Sequence, residues 1–217
     1  ANATSGLGVA VEQQAKTIYE CLVMEASPRE AIIPTGIEML DILPSHVDLV
    51  GAEIEMLEFA QRESVMRKML TPLVDQYDYI LIDCSPSLGL ITVNSLVAAH
   101  SVIIPVQCEY FALEGIISKL LSTIRIIKSK LNPELAIEGF LMTMYDSRLR
   151  LANQIYNDVK QHFGDMVFET VINRNVKLSE APSHGVPVIL YDIESKGAVN
   201  HLQLAEELIR RNPKRRK

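Results

Sequence analysis

Asp83 stands where an apolar run ends. Tyr79, Ile80, Leu81 and Ile82 lead into it, and Cys84, Ser85, Pro86, Ser87 and Gly89 follow. A carboxylate closing a strand and opening onto such a loop can hold a magnesium-bound water. The loop can then sense the terminal phosphate of a nucleotide, as in phosphate-loop ATPases. The same residues also suit the start of a helix, because Asp or Ser at that place satisfies orphan N–H groups. From this stretch by itself both readings stand. Nothing here suggests a serine hydrolase, because no G-x-S-x-G elbow occurs in the sequence.

A nucleotide site needs a second part, a glycine-rich loop of the form GxxxxGK[ST], whose backbone N–H groups and lysine grip the phosphates. None of the ten glycines is followed by lysine, so no such loop lies within the 217 residues. Other chemistries fare worse. The five histidines show no metal-ligand spacing, which argues against zinc. The three cysteines, Cys21, Cys84 and Cys108, form no C-x-x-C pair. They read as small buried hydrophobes in a reducing compartment. No apolar run approaches the ~18 residues that span a bilayer. Net charge is −6, but the last eight residues, RRNPKRRK, hold six cations. Without them 15 basic residues face 27 acidic ones, a balance of −12. Such a run reads either as a solvated end or as an arm for a polyanion such as DNA.

The elements that must position Asp83 follow from hydrophobic periodicity. Short continuous apolar runs predict strands at 39–43, 79–83, 102–106, 139–144 and 167–172, with a short one at 187–190. Helical patterns predict helices over 52–70, 90–99, 112–131, 149–162 and 197–211. The clearest is 112–131, where Leu113, Ile116, Ile117, Leu120, Leu121, Ile124 and Ile127 recur at helical spacing. Alternation of strand and helix implies an α/β fold: an open, doubly wound, mostly parallel sheet with helices on both faces. Residues 1–211 read as one domain and 212–217 as a basic tail. In such sheets ligands sit beyond the carboxyl ends of the strands. That draws attention to Asp83–Gly89, Gln107–Tyr110, Tyr145–Arg148 and Asn173–Lys177. Glu109 and Tyr110 read as a strand-to-helix turn.

Several longer stretches carry a family resemblance. ANATSGLG at 1–8, AEIE at 52–55, YDYILIDCSPSLGL at 77–90, SVIIPVQCEYFALEG at 101–115, IEGFLMTMYDSR at 137–148 and RNVKLSEAPSHGVPVILYD at 174–192 resemble the ParA/Soj chromosome-partitioning ATPases, relatives of the septum-site protein MinD. The likeness runs in order from residue 1 to about 210. Two departures fall inside it: Ser85 and Asn173 stand where the family usually has proline. The family's deviant phosphate loop, KGGxGKTT, and its DxDP aspartate precede the segment matched by residues 1–8. They are therefore expected about forty residues or fewer ahead of Ala1, making the fold a P-loop NTPase type given without its first strands.

The resemblance implies roles for particular residues. Asp83 matches the aspartate that positions Mg2+ through water, and Ser85 and Pro86 belong to the loop that reports ATP against ADP. Asp146 and the Asn173–Arg174 turn match places that hold adenine. Arg148 and Lys177 match cations that grip DNA without reading sequence; by themselves they read as ordinary surface charges. The implied protein is a cytoplasmic, nucleoid-associated ATPase using ATP and Mg2+. It dimerises on ATP, coats DNA and answers to a ParB-type partner. Two alternatives are a non-catalytic binder, given the absent lysine, and a MinD-like membrane-associated ATPase. Against the latter, 199–211 reads as a packed helix with only a basic tail beyond it, leaving no apolar face for stable membrane insertion.

Overall fold

The computed structural model describes residues 2–11, 15–85, 87, 89–108 and 117–213. Two compact units divide the chain: residues 1–100 with 123–135, and residues 101–122 with 136–217.

The first unit begins with short helices α1 (Asn2–Gly6), α2 (Ile18–Leu22) and α3 (Pro28–Ala31). A capping box starts α2. Thr17 Oγ1 accepts the Tyr19 N–H at 3.1 Å, and Glu20 Oε2 accepts the Thr17 N–H at 2.6 Å. Next come strands β1 (Ile33–Pro34) and β2 (Asp41–Ile42), paired antiparallel. The strand expected at 39–43 is cut to these two residues because Met39 takes φ 61° and is 91% exposed. A left-handed residue cannot continue a pleat.

Helices α4 (Leu49–Glu55), α5 (Val65–Leu70) and α6 (Leu90–Ala98) complete the main part of this unit. The single helix expected over 52–70 is broken around Phe59–Gln61, where Gln61 has φ 58°. The break has a packing cause. At about 100° per residue, Met56 and Val65 would fall on opposite sides of one continuous helix. Both are buried in the same core with Leu22, Ala31, Ala52 and Met66. Asn94 on α6 is fully buried and satisfied. Its amide donates to Arg62 O and Leu90 O at 2.8 and 3.0 Å, and its Oδ1 accepts the Met66 N–H at 3.0 Å. The run 79–83, expected as a strand, joins no ladder among the described residues, and Leu81 is 81% exposed. A strand exists by pairing, and no described neighbour supplies the pair.

The second unit holds the parallel sheet. Strand β3 (Ser101–Gln107) is followed by α7 (Ile117–Lys130), which contributes Thr123 onwards to the first unit, and then by β4 (Ala136–Thr143). β3 and β4 pair in parallel with a bulge between Val102 and Ile103. Gly139 is required there, since a Cβ would fall 2.7 Å from Met166 O. Cys108 N–H bonds Thr143 O at 3.0 Å. Donors alternate sides along a strand, so the N–H that Pro105 lacks would point away from β4. The remaining helices are α8 (Arg150–Phe163), α9 (Lys177–Ser183), α10 (Val188–Tyr191) and α11 (Lys196–Arg211). The α/β class and the parallel pairing agree with the sequence reading.

Two expectations for this unit fail. Residues 187–190 were expected as a strand, but Val188–Tyr191 form a helical turn after Pro187, which sits at its N-cap with φ −60°. Residues 167–172 form no ladder with β4; an isolated bridge joins Phe140 to Val167, and another, just past both segments, joins Tyr145 to Asn173. The N–H groups of Phe168 and Ile172 bond Phe140 O and Met142 O at 3.0 and 2.9 Å. The consecutive N–H groups of Glu169 and Thr170, however, both turn to the Glu207 carboxylate at 2.9 and 2.8 Å. Two successive donors on one side break strand alternation. Cys21 and Cys108 are buried as expected, whereas Cys84 is exposed.

Candidate functional site

In the first unit, Asp83 and Ser85 lie on exposed chain without regular structure just ahead of α6. No hydrogen bond or ion pair engages the Asp83 carboxylate among the described residues. The loop after it is tethered. Ser85 Oγ accepts the Ser87 N–H at 3.3 Å, and Thr92 Oγ1 lies 3.2 Å from Ser85 O and 2.5 Å from Ser87 O. Glu53 Oε1 on α4 accepts the Ile91 N–H in the first turn of α6, at 3.1 Å. Pro86, singled out from the sequence, lies outside the described residues, as do Glu109 and Tyr110. An exposed, unengaged carboxylate beside two hydroxyls suits a water shell around a small hard cation.

In the second unit the chain brings together Asp146, Arg148, Asn173 and Arg174. Tyr145 N–H bonds Ile172 O at 3.1 Å, and Arg174 N–H bonds Tyr145 O at 2.9 Å. The carboxyl end of β4 and the end of the 167–173 segment thus lie side by side. Asp146 and Arg148 form a two-pronged ion pair: Arg148 Nε to Oδ1 at 2.9 Å and Nη2 to Oδ2 at 2.7 Å. Arg148 N–H adds a third bond to Oδ1 at 3.0 Å. The Arg148 guanidinium and backbone, with Arg174 nearby, push the Asp146 carboxyl down to about 2. Asn153 fixes this turn from α8. It accepts the Tyr145 hydroxyl at 2.7 Å and donates to Ser147 O and Leu149 O at 2.8 and 2.9 Å.

Asn173 is held by α11. Its N–H and side-chain amide reach Asn200 Oδ1 at 3.2 and 2.9 Å. Beside it lies an open polar cleft of ≈ 460 Å³ bordered by Glu169, Glu206 and Glu207. Three carboxylates make that cleft unsuited to a triphosphate. Lys177 opens α9 and bonds Glu180 Oε2 at 2.8 Å, with its ammonium 5.5 Å from the Tyr191 ring centre. The Glu180 bond holds the Lys177 ammonium pKa up and the Glu180 carboxyl down.

Both cations expected on a DNA face therefore carry an acidic partner in this state. The sequence reading missed Glu53, Thr92, Asn153, Asn200 and Glu180. Only Glu180 could have been found, from its i, i+3 spacing to Lys177 on a helix. Among the described residues no cluster of His, Cys, Asp and Glu could hold a metal by protein ligands alone, and no helix is long and apolar enough to cross a membrane.

Comparison with known proteins adds a second line of observation. A family model described as an AAA domain matches residues 1–137. The chain is 49% identical over 219 residues to the chromosome partitioning protein ParA of Myxococcus xanthus, covering 99% of this chain and 77% of that protein. It is 50% identical over 207 residues to the sporulation initiation inhibitor protein Soj of Bacillus subtilis, covering 95% and 81%. Among solved structures, cobyrinic acid a,c-diamide synthase from Mycobacterium smegmatis with bound ADP and magnesium superposes with a TM-score of 0.82. It is 33% identical, over 99% of this chain and 79% of that one.

Proposed function

Because the chain belongs to the ParA/Soj family of chromosome-partitioning ATPases, we propose that residues 1–211 act as one ATP- and Mg2+-dependent domain that binds DNA without reading its sequence. In this reading ATP closes two copies face to face, and the dimer coats DNA on the nucleoid in the cytoplasm. A ParB-type partner then triggers hydrolysis and release. The cycle moves or positions DNA.

The observation that carries the nucleotide half is Asp83, an exposed carboxylate that nothing engages among the described residues. It fits a magnesium ion held through water. That ion, when bound, neutralises charge on the phosphate oxygens. Ser85 and Pro86 would report the terminal phosphate, while Asp146, Asn173 and Arg174 would border the base. Asp146 also holds Arg148 in a fixed orientation. For DNA, Arg148 and Lys177 supply the cations, and an incoming phosphate must compete with Asp146 and Glu180 for them. The binding of adenosine diphosphate and magnesium by the Mycobacterium smegmatis synthase supports the cofactor assignment.

ATP turnover needs a lysine on the phosphates, and no glycine here precedes one. The 217-residue chain by itself is therefore expected to hydrolyse no ATP. Hydrolysis is expected when a KGGxGKTT-bearing segment is joined ahead of Ala1, and Asp83→Ala should abolish it. Sustained turnover by the chain alone, or no turnover by the joined protein, refutes the catalytic reading. DNA binding is tested separately with duplexes of unrelated sequence. Equal affinities that fall steeply with salt support the reading; one preferred sequence overturns it.

A further inference from the structure

Glu53 lies on α4, outside every role assigned above. Its Oε1 accepts the N–H of Ile91, the second residue of α6, at 3.1 Å. Gly89, the N-cap of α6, has no side chain to do this. Glu53 therefore caps α6 from another helix, placing a carboxylate at the positive end of its dipole. The approach is tight: a Cβ on Gly89 would fall 2.3 Å from Glu53 Oε1. Residue 89 must be glycine for the carboxylate to reach. One turn further on, Thr92, 5% exposed, directs its hydroxyl at Ser85 O and Ser87 O, 3.2 and 2.5 Å away. The loop that begins at Asp83 is thus fastened to α6, and α6 to α4, by one hydroxyl and one carboxylate.

We propose that Glu53 and Thr92 are positioning residues of this loop, setting where Asp83 and Ser85 point without touching ligand. The claim that the loop serves a nucleotide rests on the function proposed above; the latch does not. The test reads the loop directly. A nitroxide on Cys84, the exposed one of the three cysteines, reports its mobility in the whole chain without nucleotide. The native protein should give a restricted line. Glu53→Ala and Thr92→Val should each narrow it, with the mobile fraction about doubling. Glu53→Gln, whose amide oxygen still accepts the Ile91 N–H, and Thr92→Ser should keep the native line. Met56→Ala, in the core just beyond α4, should lower the melting temperature without narrowing the line. An unchanged line in Glu53→Ala and Thr92→Val overturns the proposal, as does equal narrowing in Met56→Ala. Should Glu53→Ala fail to fold, Thr92→Val against Thr92→Ser decides the matter. Failure of the protein joined to a KGGxGKTT-bearing segment to bind Mg-ATP by calorimetry would count against the nucleotide reading and leave the line shapes untouched.

Discussion

Arg148 is 86% exposed at its side chain, yet its guanidinium is spoken for, because Asp146 takes two of its donors. The pairing sets how the cation meets DNA. A phosphate must displace or share with the carboxylate. Asp146→Asn should therefore raise affinity for duplex DNA several-fold at low salt, and Arg148→Ala should lower it, flattening the log K against log salt slope by about 0.9. Salt titrations of both variants check this, and an unchanged slope in Arg148→Ala removes Arg148 from the DNA face. The pair also has an acid limit. The Asp146 carboxyl is lowered from 3.8 to about 2, so its contribution is complete above pH 3.8 and fades as pH falls towards 2. In Arg148→Ala the carboxyl should move up towards 3.8, held short of it by the residue-148 N–H and Arg174, as read by NMR. The sequence placed both residues at one strand end but gave them separate roles, because a resemblance assigns positions and not contacts. Glu53 was illegible for a different reason: its partner, the Ile91 N–H, lies 38 residues away and carries no side-chain signature.

At the scale of elements, the edge beyond β4 shows what periodicity can and cannot give. The apolar run at 167–172 correctly marks chain that lies along β4. What it cannot show is the second side of that segment, where Glu207 and Asn200 of α11 accept three backbone N–H groups. Those donors would otherwise form an open edge. Glu207 is 3% exposed. Burial would raise its carboxyl, but bonds from the Thr170 side chain and from the Glu169 and Thr170 N–H groups, together with Arg211, outweigh burial and lower it. Removing it should be costly: Glu207→Ala strands two part-buried donors and the Arg211 charge, for about 2–3 kcal/mol. Glu207→Gln keeps the acceptors for one donor at least and should cost about 1–2 kcal/mol. Urea unfolding curves test both. Because the carboxyl is lowered on folding, native stability should also decline below its usual value of 4.5, and Glu207→Gln should lose that part of the pH dependence. The broken helix near Gln61 is similar in kind. Its pattern was readable, but its length was set by which residues had to share one core.

For the whole molecule, charge decides what can meet DNA. At a net −6 the protein repels a polyanion at long range, so attraction must come from local cations. The α/β class and the parallel β3–α7–β4 succession were legible, since they follow from alternating apolar periods. The division of the basic run was not. Arg210 and Arg211 belong to α11, where they bond Glu169 and Glu207 at 3.0 and 2.7 Å. Lys214, Arg215, Arg216 and Lys217 lie outside the described residues. The six cations should therefore separate into two classes. Ending the chain at Pro213 takes the net charge from −6 to −10. If the last four cations meet phosphates, the salt slope of DNA binding should fall by about 3 to 4 with no change in melting temperature. Arg211→Ala should do the reverse, lowering the melting temperature by leaving Glu207 unpaired and hardly altering the slope. A truncated chain that keeps the native slope places those four cations in solvent and leaves the DNA face to Arg148 and Lys177.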